Sequence, residues 1–216
     1  MLLSQLTNSQ AYPKVHNIIT SVLDMQFADV RAMLQLPRPD VGIKAGCNFA
    51  IVSSLCNLIS GISTTIFKPQ PLLNEVQSKY HSGPAFKEFV TSYYPSIPPN
   101  SSRFADELYN LCRNPMAHSV GIMDAAAPVV YFARFCDQAH PEIGWSDKEL
   151  EDLENPSRPF QISAPSVVIE NGKWTLTCDS FYIDAIRMVC KLTADKTQMQ
   201  AAENRFGQRI VNWRIR

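Results

Sequence analysis

Apolar residues recur at helical spacing through the first part of this chain, and runs of β-rich composition gather only beyond residue 127. Val15, Ile18, Ile19, Val22, Leu23, Val30, Met33 and Leu34 form one stripe. It predicts a first helix over about 12–36, with Pro13 in its opening turn and Pro37 and Pro39 closing it. Val52, Leu55, Ile59, Ile62 and Ile66 have the 3-4 spacing of a bundle seam and predict a second helix over about 41–67. A connector follows at 69–83, with a short helical piece expected around 72–80. A third helix is predicted over 84–94, with Phe86, Phe89 and Val90 inward. After a proline-rich turn at 94–100, Ser101 or Ser102 is placed to cap a fourth helix that carries Phe104, Leu108 and Leu111 inward. Four helices over 12–120 predict a four-helix bundle.

Beyond Gly121 the texture changes. Residues 128–135 read as a strand, and the runs on either side of Asn171-Gly172 within 166–177 read as a hairpin with a type I′ turn. A last helix is predicted from about 179 to 194 or beyond, with Phe181, Ile183, Ile186, Val189, Cys190 and Leu192 apolar. The expected fold is therefore mainly α with an α+β appendage. A helical bundle at 1–125 is followed at 126–216 by a small antiparallel sheet and a carboxyl-terminal helix, packed on the bundle as one unit.

Residues 45–67 carry no charge, which raises the question of a membrane span. Asn48, Ser53, Asn57, Ser60, Ser63, Thr64 and Thr65 answer it in favour of a buried bundle helix, because a lipid-facing helix would not carry so many amides and hydroxyls. The first eleven residues lack a basic start and a cleavage pattern, so no signal peptide and a cytoplasmic location are expected. Composition adds restraint: 45% of the residues are hydrophobic, 19% are charged and the formal net charge is zero. No global basic field draws the protein to nucleic acid, and any RNA contact must be local. The cysteines at 47, 56, 112, 136, 178 and 190 are scattered without a CxxC pair, which reads as thiols buried in a reducing compartment. No Cys or His pair has zinc-ligand spacing, so no metal is expected.

Local charge is less even. Between 137 and 154 seven acids face Lys148 alone, and Ser146 to Glu149 has the spacing of a capping box, so a short, solvated acidic helix is expected there. The tail from Glu203 carries Arg205, Arg209, Arg214 and Arg216, with Phe206 and Trp213 interleaved. Cations alternating with rings suit single-stranded RNA, and Arg205, Arg209, Trp213 and Arg214 are the candidate contacts. The competing reading docks Trp213 and Ile215 on the core or on a neighbouring subunit.

The candidate chemistry sits in 107–121. Arg113, Asn114 and His118 lie where the fourth helix meets Pro115, which has no amide hydrogen and pushes Asn114 out of the α region. In an unbroken helix Arg113 and His118 would point roughly 140° apart. A break at Pro115 can swing the imidazole back toward the guanidinium, which brings a fixed cation, an amide and a group that titrates near neutrality to one helix end. Arg134 and His140 have a similar spacing, but Phe135 follows that arginine in a strand-like setting, and the pair is set aside.

Arg113-Asn114-x3-His118 resembles the Rx4–6H motif of the HEPN superfamily, small helical bundles that include metal-independent endoribonucleases of toxin–antitoxin, antiviral-defence and RNA-processing systems. The string Arg-Asn-Pro-Met-Ala-His-Ser-Val-Gly at 113–121 also resembles an uncharacterised bacterial group with "RNPLAHS"-type motifs. The likeness is specific over about a dozen residues and architectural over the first ~135. It implies His118 as general base or acid, Arg113 as the group that stabilises phosphoryl charge, and Asn114 as orienter or phosphate ligand. It also implies no cofactor, a homodimer with facing sites, and an antitoxin or other protein partner. Many proteins of this type are instead non-catalytic modules that bind nucleotides or RNA or support assembly. In a purely structural role, Arg113 would cap helix carbonyls or pair with Asp106, and His118 would bond to backbone.

Overall fold

The computed structural model describes residues 7–36, 47–69, 82–95, 103–113, 130–134, 145–154 and 166–206. It is mainly helical with a small three-stranded sheet. Pro13–Ile18 (α1), a π-helical turn at Ile19–Leu23 and Asp24–Gln35 (α2) run on without leaving helical backbone angles. They bury the predicted stripe at Val15, Ile19, Leu23, Val30 and Leu34.

This rod has no side-chain cap of its own at its start. Its first amides are satisfied from the far end of the chain, where the Glu203 carboxylate accepts the N–H of Lys14 at 2.9 Å and of Val15 at 3.0 Å. At the other end, the Arg134 guanidinium donates to the carbonyls of Met33, Leu34 and Leu36 at 2.8, 3.4 and 3.2 Å, and the Trp145 amide donates to Leu34. An anion at the amino end and a cation at the carboxyl end both complement the helix dipole.

Asn48–Thr65 (α3) is the central charge-free helix, packed between α2 and Ser82–Tyr93 (α4). Its hydroxyls are spent largely on its own backbone: Ser63 and Thr64 donate to the Ser60 carbonyl and Thr65 to that of Gly61. Among the described residues no helix is long and apolar enough to cross a membrane. The end of α3 is held from outside, because Arg205 donates to the carbonyl of Ile66 and Gln198 exchanges two hydrogen bonds with the backbone of Lys68. Phe104–Leu108 (α5) follows, continued by a second π-helical turn, Tyr109–Arg113.

The sheet corrects one expectation. Val167–Glu170 (β2) and Lys173–Thr177 (β3) form the expected hairpin, with Asn171 and Gly172 at φ 50° and 72° as a type I′ turn requires. Val130–Ala133 (β1), however, pairs with β3 in parallel, in register Val130 to Trp174, so the sheet is mixed and not antiparallel, in the order β1-β3-β2. The reason lies in the excursion between β1 and β2. The chain leaves β1, passes through Asp147–Glu154 (α6) and re-enters the sheet at its other edge, which leaves β3 in the middle and running the same way as β1. Trp174, Leu176 and Val167 face inward, and the Trp174 ring stacks on Phe104 with centroids 6.0 Å apart.

Helix α6 starts at the expected capping box. Ser146 N–H donates to the Glu149 carboxylate at 2.9 Å, and Glu149 N–H donates back to Ser146 Oγ at 3.3 Å. The helix is not simply a solvated face. Arg31 grips it at both ends, through Asp147 and through the buried Glu154, which also accepts the Tyr182 hydroxyl at 2.9 Å. The last predicted helix stands where expected, and a further one follows it. Cys178–Ala194 (α7) is buried on nearly every side, and Lys196–Phe206 (α8) begins anew where Asp195 caps the amides of Thr197 and Gln198. One hydrophobic cluster runs through the helices of the bundle, the hairpin and α7. The helical piece at 72–80, the serine cap at 101 or 102 and the stops at Pro37 and Pro39 lie outside the described residues.

Candidate functional site

Arg113 is the last residue of the π-helical turn Tyr109–Arg113, a widened stretch that sequence patterns do not announce and that often accompanies functional positions. Its neighbours along the turn fix it from below. Cys112 is fully buried, and Leu108 one turn earlier is fully buried as well. The Arg113 side chain is half-buried and held on two sides. Nη2 donates to Ser60 Oγ on α3 at 3.2 Å, and the guanidinium carbon lies 5.4 Å from the centre of the Tyr109 ring.

Tyr109 is in turn wedged against α4. Its ring lies 5.6 Å from that of Phe86. A Cβ placed on Gly83 would stand 3.0 Å from its Cζ and Oη, so any larger residue there would have to push the ring aside by a few tenths of an ångström. The Lys87 ammonium lies over the same ring at 5.3 Å from its centre and pairs with Asp106 at 2.6 Å. Asp106, one candidate partner for Arg113 in a structural role, is thus joined to Lys87.

The thiols beside this site are kept protonated. Burial pushes the Cys112 thiol up to about 12, and burial first, then the neighbouring Cys112, pushes Cys56 well above its ordinary value. Neither can supply a thiolate nucleophile near neutral pH. Cys178 is also buried, Cys47 and Cys190 are half-buried, and none of the five described cysteines is joined in a disulfide to another of them. Among the described residues no group of three His, Cys, Asp or Glu side chains could hold a metal ion.

Of the residues singled out by the sequence, the structure therefore places Arg113 in a defined setting. Asn114 and His118 lie outside the described residues, as do Arg209, Trp213 and Arg214 of the tail. Arg205 is described, at the end of α8, and it is turned inward. It is 7% exposed and its guanidinium binds the end of α3, so it works as a helix cap and is not presented to a strand of RNA. Sequence reasoning missed Ser60, Tyr109 and Lys87. Tyr109 had a signal, since an aromatic residue four positions before an arginine is its neighbour on a helix surface. Ser60 and Lys87 had none, because tertiary packing alone brings α3 and α4 to the turn. No protein-family model, curated protein or solved structure matches the chain.

Proposed function

We propose that this protein is a metal-independent endoribonuclease of the HEPN type, acting as a cytoplasmic homodimer in toxin–antitoxin, antiviral-defence or RNA-processing chemistry. The observation that carries the reading is the setting of Arg113. A guanidinium at the end of a π-helical turn, steadied by a hydroxyl and an aromatic ring, loses little freedom when a phosphoryl group arrives. The protonated Cys56 and Cys112 fit the same reading, since they leave the attack to the substrate's own oxygen. In that chemistry the ribose 2′-oxygen attacks the adjacent phosphorus as His118 takes its proton. The P–O5′ bond then breaks, and a protonated imidazole supplies a proton to the departing oxygen. The products are a 2′,3′-cyclic phosphate and a 5′-hydroxyl end. Asn114 holds the imidazole or a phosphate oxygen, and Arg113 meets the charge that builds on the phosphoryl group.

The test is cleavage of a mixed RNA substrate by the purified protein in the presence of a chelator, with the ends identified chemically. Arg113→Ala and His118→Ala are each expected to lower the rate by about 10²–10³, and Arg113→Lys is expected not to restore it, because an ammonium lacks the planar fork. Cleavage that survives both substitutions, or that requires a metal ion, defeats the reading. A second reading rests on the same Ser60 bond, which ties Arg113 to a bundle helix: the site then binds a nucleotide or supports assembly without catalysis. In that case over-expression leaves growth unchanged, and the two alanine variants alter oligomeric state or solubility.

A further inference from the structure

Two cations meet one ring. Lys87 from α4 and Arg113 from the π-helical turn lie 5.3 and 5.4 Å from the centre of Tyr109, and the Lys87 side chain keeps 32% of its surface in solvent. Its partner Asp106 is more open still, at 48%, so their ion pair is of the exposed kind that contributes about 0–1 kcal/mol. A pair that weak does not require Tyr109 to be seated so closely that a Cβ on Gly83 would stand 3.0 Å from its ring. What the arrangement does secure is direction. The ring, seated against Gly83 and Phe86, carries the Lys87 ammonium and the Arg113 guanidinium over it at nearly equal distances from its centre.

We infer that Lys87 is a second phosphate-binding residue of the Arg113 site and that Tyr109 is the positioning residue that aligns the two cations. The ligand class is a single-stranded RNA backbone that offers two phosphates to the protein, one to Arg113 and a neighbouring one to Lys87. Asp106 holds the Lys87 ammonium until the strand arrives and competes with it for that cation. This inference rests on the ribonuclease reading of Arg113 and adds the subsite beside it.

A ten-nucleotide 2′-O-methyl oligouridylate, which cannot be cleaved through its 2′-oxygen, provides the probe. Its affinity is measured by fluorescence anisotropy at several salt concentrations with the full chain. For single strands each phosphate neutralised contributes about 0.7 to the slope of log K against log salt. Lys87→Gln is expected to weaken binding and to reduce the slope by about 0.7, whereas Asp106→Asn tightens binding by releasing the ammonium. Tyr109→Leu is expected to reproduce the loss of slope, and Tyr109→Phe to restore it, with circular dichroism confirming that each variant is folded. If Lys87→Gln and Asp106→Asn change only the unfolding temperature, Lys87 is a helix-to-helix tie and the inference fails alone, provided that Arg113→Ala still weakens binding. If Arg113→Ala also leaves affinity and slope unchanged, or the wild type does not bind the probe, the ribonuclease reading of the site fails with it.

Discussion

Arg134 and Arg113 each precede a histidine by a similar interval, yet the fold uses them in opposite ways. Arg134 is 2% exposed, and its donors are given to three backbone carbonyls at the end of α2. Arg205 repeats the pattern at the end of α3. Arg113 is held from the side, by one hydroxyl and the face of a ring, at the edge of the core. The difference teaches which arginines close a structure and which are presented by it. A guanidinium that satisfies orphaned carbonyls is part of the helix end it caps. A guanidinium held by a hydroxyl and a ring ties neighbouring helices together and closes no helix end through those contacts.

That contrast can be broken most directly at its structural pole. Arg134→Met is expected to cost about 3 kcal/mol or more in urea unfolding, because it strands buried carbonyls, and Arg134→Lys should recover little of it. Arg113→Ala should cost only about 1 kcal/mol, the usual worth of one hydrogen bond with a partly solvated cation–π contact. Equal losses at the two positions would erase the distinction. Gly83→Ala sharpens the site further. The new methyl would press on the Tyr109 ring, and overpacking of roughly 1–3 kcal/mol is partly offset by the gain of about 1 kcal/mol from replacing glycine in a helix. We expect a net loss near 1 kcal/mol, together with a changed near-ultraviolet dichroism of the displaced tyrosine.

The smallest effect concerns pH. Burial raises the pKa of Asp184, against the Ser166 and Tyr94 hydroxyls and the Arg187 and Lys191 charges that favour ionisation. The folded chain therefore holds that proton to higher pH than the unfolded chain does. The stability Asp184 contributes is complete below its unfolded value and is lost as pH rises through its folded one. Asp184→Asn should flatten that decline in a series of thermal melts. Asp147 works with the opposite sign: its hydrogen bond from Arg31, then that from Gln35, lowers its pKa, so its share of stability is present above the unfolded value and lost as pH falls.

How much of this was legible depended on how far apart in sequence the partners lie. The Asn171-Gly172 turn and the Ser146–Glu149 box were readable because each is complete within a few residues. The helices followed from periodicity, although the two π-helical turns left no mark on it. The parallel pairing of β1 with β3 was not readable, since alternation reports which face is buried and not which way the neighbouring strand runs. Nor was the docking of α6, whose acids look solvent-bound until Arg31, more than a hundred residues earlier, is brought against them. At the site, the sequence pointed to Arg113. The hydroxyl, ring and second cation around it came from three separate segments.

The Glu203 carboxylate at the amino end of α1 has a consequence for synthesis. A ribosome adding about 5–20 residues per second releases Lys14 long before Glu203, the two being 189 residues apart. For roughly ten to forty seconds the opening helix exists without the group that completes its first turn. A helix made early is thus completed by a residue made much later.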